Sequence, residues 1–258
     1  MPRARVSAVL ITKNEERNIR RCLQSLAWAD EIVLVDGEST DGTCEIARSF
    51  GAKIVPHRFC GDFGLERNIG NENATGDWIL AMDADEVIPE NTRQEIENVL
   101  KKGSEFNAYN VPRMQYFLGK PLRHGGRYHS IVNFFRKGKA TFSGKVHHLV
   151  LVDGKTGRFE CPIEHYPFNT VSEFIQKQDR YTHYEALEMY EKFGNEKFKD
   201  VKYNLTIKPL KLFFKSHFKK KGHKDGTAGL IFSILFSWRH FLIWAKYWEL
   251  CEKQGSRK

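Results

Sequence analysis

Asp83-Ala84-Asp85 is the part of the sequence best suited to chemistry. Carboxylates two residues apart on a turn can both face one hard cation, with diphosphate oxygens completing its shell. The triplet follows Trp78-Ile79-Leu80-Ala81-Met82, an almost wholly apolar run that reads as a central strand. Open α/β sheets bind ligands beyond the carboxyl ends of such strands. A D-x-D triplet also arises by chance as helix-capping residues, so its placement carries the reading. Asp36 closes an earlier strand. If the two strands lie close, Asp36 and Asp83 flank one crevice, where a carboxylate accepts hydrogen bonds from a ribose or a base edge. A turn aspartate bonded to its own backbone is the plainer alternative. Arg67-Asn68 follows the turn at Gly61-Asp62 and either reaches the same mouth or sits on a helix surface.

Other chemistry is excluded or weaker. The chain has no G-x-G-x-x-G after its first strand and no G-x-x-x-x-G-K-[ST], so dinucleotide and Walker phosphate loops are absent. H-E-x-x-H and G-x-S-x-G are also missing. His147-His148 and His165 are candidates for metal or acid/base work, but neighbouring strand residues point to opposite faces, so one ion does not take both members of the pair.

The elements that must hold these residues follow from periodicity. Val6 to Ile11 reads as a short buried strand, and Ile19, Cys22, Leu23 and Leu26 recur at helical spacing after it. A strand at residues 31–35 ends in Asp36-Gly37, and capping residues 39–43 precede a helix at 44–50. Further strands are expected at 52–55 and 78–82, with helices at 63–73 and after Pro89. Strand and helix alternating at this spacing build a parallel α/β sheet. Beyond Asn107 the pattern changes to strands at 108–114, 131–136 and 149–152, separated by glycine-rich turns, and then to a helix over 171–193. The expected layout is an α/β half at 1–107, a mixed α/β half of the same domain at 108–170, and a helical, basic extension at 171–258.

The 258 residues carry 41 Lys+Arg against 32 Asp+Glu, a formal net charge of +9. Lys192 to Lys224 alone holds eleven lysines and two acids, so it accounts for +9 and leaves the rest near neutral. That distribution argues against a nucleic-acid partner, which would need an extended basic face. The lysines interleave with Leu210, Leu212, Phe213, Phe214 and Phe218, and long apolar runs follow from Thr227 to Trp248. Together, residues 192–248 suit an interfacial anchor on an anionic membrane surface. The bland alternative makes 230–250 a core helix whose neighbouring lysines face solvent. No unbroken apolar stretch of 18 residues occurs, and Val9-Leu10-Ile11 is too brief for a signal peptide. Five scattered cysteines form no C-x-x-C pair, which fits a reducing compartment.

Four segments in order carry a resemblance: residues 9–16 (VLITKNEE), 35–43 (VDGESTDGT), Glu66-Arg67-Asn68 and Met82-Asp83-Ala84-Asp85-Glu86. In this the chain resembles the family 2 glycosyltransferases. Lys145-Val146-His147, Ile163-Glu164-His165-Tyr166, the helix from Lys177 to Tyr184 and Lys221-Gly222-His223-Lys224-Asp225-Gly226 resemble the lipopolysaccharide core-biosynthesis glucosyltransferase subgroup. The resemblance implies an α/β GT-A nucleotide-diphospho-sugar transferase fold, a single mostly parallel sheet flanked by helices, with a helical C-terminal extension. It implies a nucleotide-sugar donor, UDP-glucose by subgroup, and a divalent cation, Mg²⁺ or Mn²⁺. Thr12, Asn14 and Glu15 would line the nucleotide pocket, Asp36 would meet base or ribose, and Arg67 would lie near base or diphosphate. Asp83 and Asp85 would be the D-x-D pair, with Asp85 the direct metal ligand.

The implied reaction inverts the anomeric carbon and needs a general base at the acceptor hydroxyl. Subgroup members commonly carry glutamate after the histidine of Lys-Val-His, where this chain has His148. His148, Glu164 and Asp153 are therefore the candidate bases, with Glu160 behind them. The acceptor implied is a lipopolysaccharide core or another lipid-linked saccharide, met by a cytoplasmic protein peripheral to the inner membrane. Transfer to polyprenyl phosphate or protein, and a catalytically degenerate sugar-nucleotide-binding protein, are the alternatives.

Overall fold

In the computed structural model, residues 3–126, 129–144 and 149–255 are described. The alternating pattern resolves into β1 (Val6–Thr12), α1 (Glu16–Ser25), β2 (Glu31–Asp36), α2 (Thr43–Ser49), β3 (Lys53–Pro56), α3 (Phe63–Asn73) and β4 (Trp78–Asp83). Then come β5 (Glu86–Val87), α4 (Glu90–Lys102), β6 (Ala108–Phe117), β7 (Lys120–Leu122), β8 (His129–Arg136), β9 (Ala140–Ser143), β10 (Leu149–Val152), β11 (Thr156–Arg158) and β12 (Ile163–His165). The rest is helical, mainly α5 (Val171–Phe193), α6 (Val201–Leu205), α7 (Ile207–Phe214) and α8 (Gly226–Gly255). The chain forms two compact units, Met1–Met114 with His129–His165 and Gln115–Tyr128 with Tyr166–Lys258.

The first unit is built on a sheet ordered β3-β2-β1-β4-β8-β6-β12-β5. Its first four strands are parallel; β8 then runs antiparallel to both β4 and β6, so the sheet is mixed. β4 sits inside it, and both of its faces are apolar for that reason. Trp78, Leu80 and Met82 join Ile19 and Leu23 of α1 and Ile96 and Leu100 of α4 on one face. Ile79 and Ala81 join Val9, Val33, Phe135 and Phe142 on the other, where α3 lies. Trp78 stacks on Phe134 at 4.6 Å between ring centroids. α3 approaches the sheet closely because position 70 is glycine: a Cβ there would stand 2.4 Å from a Val9 methyl.

The second unit has two apolar clusters. Phe117, Leu122, Phe168, Phe174 and Phe232 form one. Ala186, Val201, Ile243, Trp244, Tyr247 and Cys251 form the other. α8 is long and apolar enough to cross a membrane by length and composition, although charged residues interrupt its apolar runs. Its polar groups show how it is used. Arg239 pairs with Glu185 and Gln178 of α5, and Lys246 bonds Asp179 at 2.7 Å. Tyr247 is fully buried, so α8 packs this unit on one side, while Leu230, Ile234, Phe241 and Trp248 of the same helix are exposed.

The Gly70 contact sets a test. Gly70→Ala adds a methyl against two rigid valines, an overpacking of about 1–3 kcal/mol, which outweighs the ~1 kcal/mol gained in helix propensity. The expected result is a lower urea midpoint with an unchanged m value.

Candidate active site

Three parallel strands end together. Thr12 stands opposite Asp36 and Ile11 opposite Asp83, so β1 separates the two aspartates at one sheet edge. Two strand spacings put their backbones about 10 Å apart, the width of a crevice. The loops beyond β1 and β2 are stitched to each other. Asn14, at φ 56°, accepts the Thr40 N–H on its Oδ1 at 2.8 Å and donates its own N–H to Ser39 Oγ. The Glu15 N–H donates to Thr43 Oγ1 at 2.9 Å. Asp36 is buried, accepts the Ser39 N–H and lies 3.4 Å from Thr12 Oγ1. Thr12 and Asp36 therefore stand at the crevice, whereas the Asn14 side chain and the Glu15 backbone are spent on bracing its rim.

α3 delivers three consecutive residues to three places. Asp62 caps the helix by accepting the Leu65 N–H. Glu66 is buried against His57 Nδ1 at 2.7 Å. Asn68 exchanges two 2.9 Å hydrogen bonds with the Phe142 backbone and so pins β9. Arg67 reaches Asp83 Oδ1 and passes 5.4 Å from the Phe142 ring.

Asp83 is the hub. Its Oδ2 accepts from Arg113 Nη2 at 2.8 Å, while Arg113 Nε lies 2.6 Å from Glu86 Oε1. Glu86 Oε2 in turn accepts the Asp83 N–H at 2.8 Å. Burial opposes ionisation of Asp83, but Arg67 and Arg113 hold its carboxyl well below the usual range. Burial pushes Glu86 up to about 7, with Asp83 and Asp85 adding repulsion against the pull of Arg113. Asp85 turns the other way. The two-residue strand β5 pairs with β12, setting Glu86 beside His165, and His165 Nε2 comes within 3.3 Å of the buried Asp85 Oδ1. Burial, then Arg113, lowers the His165 pKa and favours the neutral ring, the form that ligates metals.

A divalent cation fits this arrangement at Asp85 and His165. Neighbouring ligands of an octahedral Mg²⁺ stand about 3 Å apart, which matches the observed spacing. Asp83, the other acid of the pair, accepts one guanidinium on each of its oxygens. Among the described residues no group of three metal-ligating side chains occurs, so the protein offers a partial shell.

The candidate bases separate. Asp153 is not brought to this edge. It follows β10, pairs with Lys139 and accepts Asn107 Nδ2 on its carbonyl, near Arg136, which stands opposite Trp78 at the start of β4. The antiparallel return of β9 and β10 carries it there. Glu164 lies on β12 beside His165, and strand alternation sends it to the other face. His148 lies outside the described residues. Gly144, the last described residue before it, approaches Gly64 so closely that a Cβ on Gly64 would stand 2.8 Å from the Gly144 carbonyl oxygen.

Arg113 was not legible as a site residue, and neither was the Asp85–His165 pairing. The available signal was a lone arginine inside Ala108–Phe117, an otherwise largely apolar strand, where a buried cation demands a carboxylate. Arg113→Met strands Glu86 and half of Asp83, at a cost of about 3–5 kcal/mol. Glu86 takes up a proton on folding, so its contribution falls as pH rises from 4.5 toward about 7. Without Arg113 that window extends upward. Urea denaturation is expected to show a larger deficit at about pH 8 than at about pH 5.

Known glycosyltransferases resemble the chain along most of its length. The chain is 27% identical to an uncharacterised glycosyltransferase of Rickettsia typhi, covering 96% of this chain and 88% of that one. It is 26% identical to the lipopolysaccharide core biosynthesis glycosyltransferase LpsC of Rhizobium meliloti, covering 96% and 94%. Among solved structures, residues 1–349 of S. aureus TarS in complex with UDP superpose with a TM-score of 0.51 at 14% identity, covering 98% of this chain and 92% of that one. That likeness is one of fold, the GT-A arrangement. Residues 7–153 match the family described as glycosyl transferase family 2, and the chain belongs to that family of glycosyltransferase enzymes.

Proposed function

We infer that the protein is an inverting hexosyltransferase. It moves glucose from UDP-glucose to a lipopolysaccharide-core or other lipid-linked saccharide at the cytoplasmic face of the inner membrane. One observation carries the donor half of this reading: Asp36, the Arg67–Asp83–Arg113 cluster and the Asp85–His165 pair converge on one sheet edge. Similarity to LpsC and to UDP-binding TarS supports the acceptor class and the nucleotide.

Each residue has a role that follows from its surroundings. Asp36, buried and already accepting one backbone N–H, keeps lone pairs for a base or ribose donor. Arg67 and Arg113 place positive charge where a diphosphate accumulates negative charge as it leaves. Asp85 and neutral His165 would hold the divalent cation, which supplies Lewis-acid neutralisation of that leaving group. Inversion requires the acceptor hydroxyl to lose its proton on the face opposite the diphosphate. His148, in the stretch resembling the subgroup's Lys-Val-His motif, is the chain's leading candidate for that proton.

Transfer assays with a panel of nucleoside-diphosphate sugars and lipopolysaccharide-core acceptors, followed by NMR of the product anomer, test the reading. The wild type is expected to require Mg²⁺ or Mn²⁺ and to lose turnover on chelation, with recovery on readdition. Asp85→Ala is expected to lose about 10²–10³-fold in kcat, and His165→Ala to need about tenfold more cation for half-maximal rate. Full activity of Asp85→Ala, or a retained anomer, rejects the mechanism.

A further inference from the structure

The second unit carries an apolar ridge that its own core does not use. Tyr203, Ile207, Leu210, Phe214 and Phe218 recur every three or four residues along α6, α7 and the π-helical turn Lys215–Lys219. All are exposed, Leu210 to 59%, Phe214 to 57% and Phe218 to 53%. Phe214 and Phe218 stack on each other at 5.7 Å, so the ridge is an ordered surface rather than scattered side chains. Val201 and Ser216 of the same segment are buried, which fixes the side that faces inward. Between Val201 and Lys224 there are eight lysines and no acidic residue. None of these lysines is ion-paired with a carboxylate among the described residues. On α8, by contrast, Arg239 and Lys246 are both paired with acids of α5.

We propose that this ridge is a membrane-docking face, in which Ile207, Leu210, Phe214 and Phe218 enter the headgroup region of a bilayer rich in anionic lipid while the flanking lysines meet its phosphates. It deepens the lipid-linked acceptor reading and rests on that reading for the membrane's identity. Burial of exposed aromatic and aliphatic groups supplies the apolar attraction, and lysines with long apolar stems can keep their ammonium groups at the headgroup level. Lys211 already lies along the Tyr203 ring, 5.3 Å from its centroid, with its ammonium at the phenol oxygen. Charge selects the occupant. A second copy of this chain would set eight lysines against eight with no intervening acid, and an anionic surface attracts every one of them. The proposed face is α6–α7, because its lysines are unpaired among the described residues whereas Arg239 and Lys246 of α8 are matched within the unit.

Cosedimentation of the full chain with vesicles of phosphatidylcholine, alone or mixed with phosphatidylglycerol, tests this. The wild type is expected to bind the mixed vesicles at least about tenfold more tightly, with binding falling as salt rises. Leu210→Ser/Phe214→Ser and Lys215→Glu/Lys219→Glu are each expected to lose about tenfold or more. Both should keep wild-type transfer to a soluble, deacylated acceptor, which also shows that they fold. Equal binding to both vesicles, wild-type binding by the serine variant, or a wild-type dimer dissolved by that variant overturns the proposal. Absence of transfer to any acceptor overturns the functional reading alone, since vesicle binding still judges the face.

Discussion

Two guanidinium groups closing on one carboxylate organise the first unit. Asp83, Asp85 and Glu86 place three acids at the end of a buried strand, a concentration of charge that burial alone would not tolerate. Arg67 arrives from α3 and Arg113 from β6, on opposite sides in the chain, and each spends its guanidinium on Asp83. Glu86 closes the circuit, forming an ion pair with Arg113 and accepting the Asp83 backbone N–H. Asp85 is buried beside this cluster, with His165 Nε2 at 3.3 Å.

The same clamp ties together elements that would otherwise be independent. α3 can offer Arg67 only because Gly70 lets the helix lie against Val9 and Val35. One residue on, Asn68 pins β9 to the same helix, and Gly64 admits the backbone of Gly144. One helix thus holds both the Arg67–Asp83 contact and β9.

How much of this was legible in the sequence depended on the range of the interaction. α3 and α5 follow from periodicity with their bounds as read, and β4 from its apolar run, because local pattern and burial agree there. Asp36 and Asp83 flanking one crevice followed from the parallel order of their strands. Arg113 did not, since its partners lie 30 and 27 residues away in sequence and reach it only through the antiparallel β8–β6 pairing. The Asp85–His165 contact depends on a two-residue strand too short to leave a periodic signal. Asp153 was an acid at a turn, and only the hairpin return of β9 and β10 decides that the turn lies at the far edge. Motif order reports which residues share a strand end, while charge pairing across the sheet waits for topology.

The net charge of +9 gains a physical location from the same reasoning. In the first unit Arg67 is buried and Arg113 is largely so, and each is matched by Asp83 within the fold. In the second unit α5 supplies Asp179 and Glu185 to the basic residues of α8, again cancelling charge within the packing. The lysines of α6, α7 and the turn beyond them have no such partners among the described residues and lie beside exposed aromatics. Exposed cations cost the fold little, because water solvates them. Stability therefore does not decide where these lysines sit, and the proposed docking face gives them and the apolar ridge one common role.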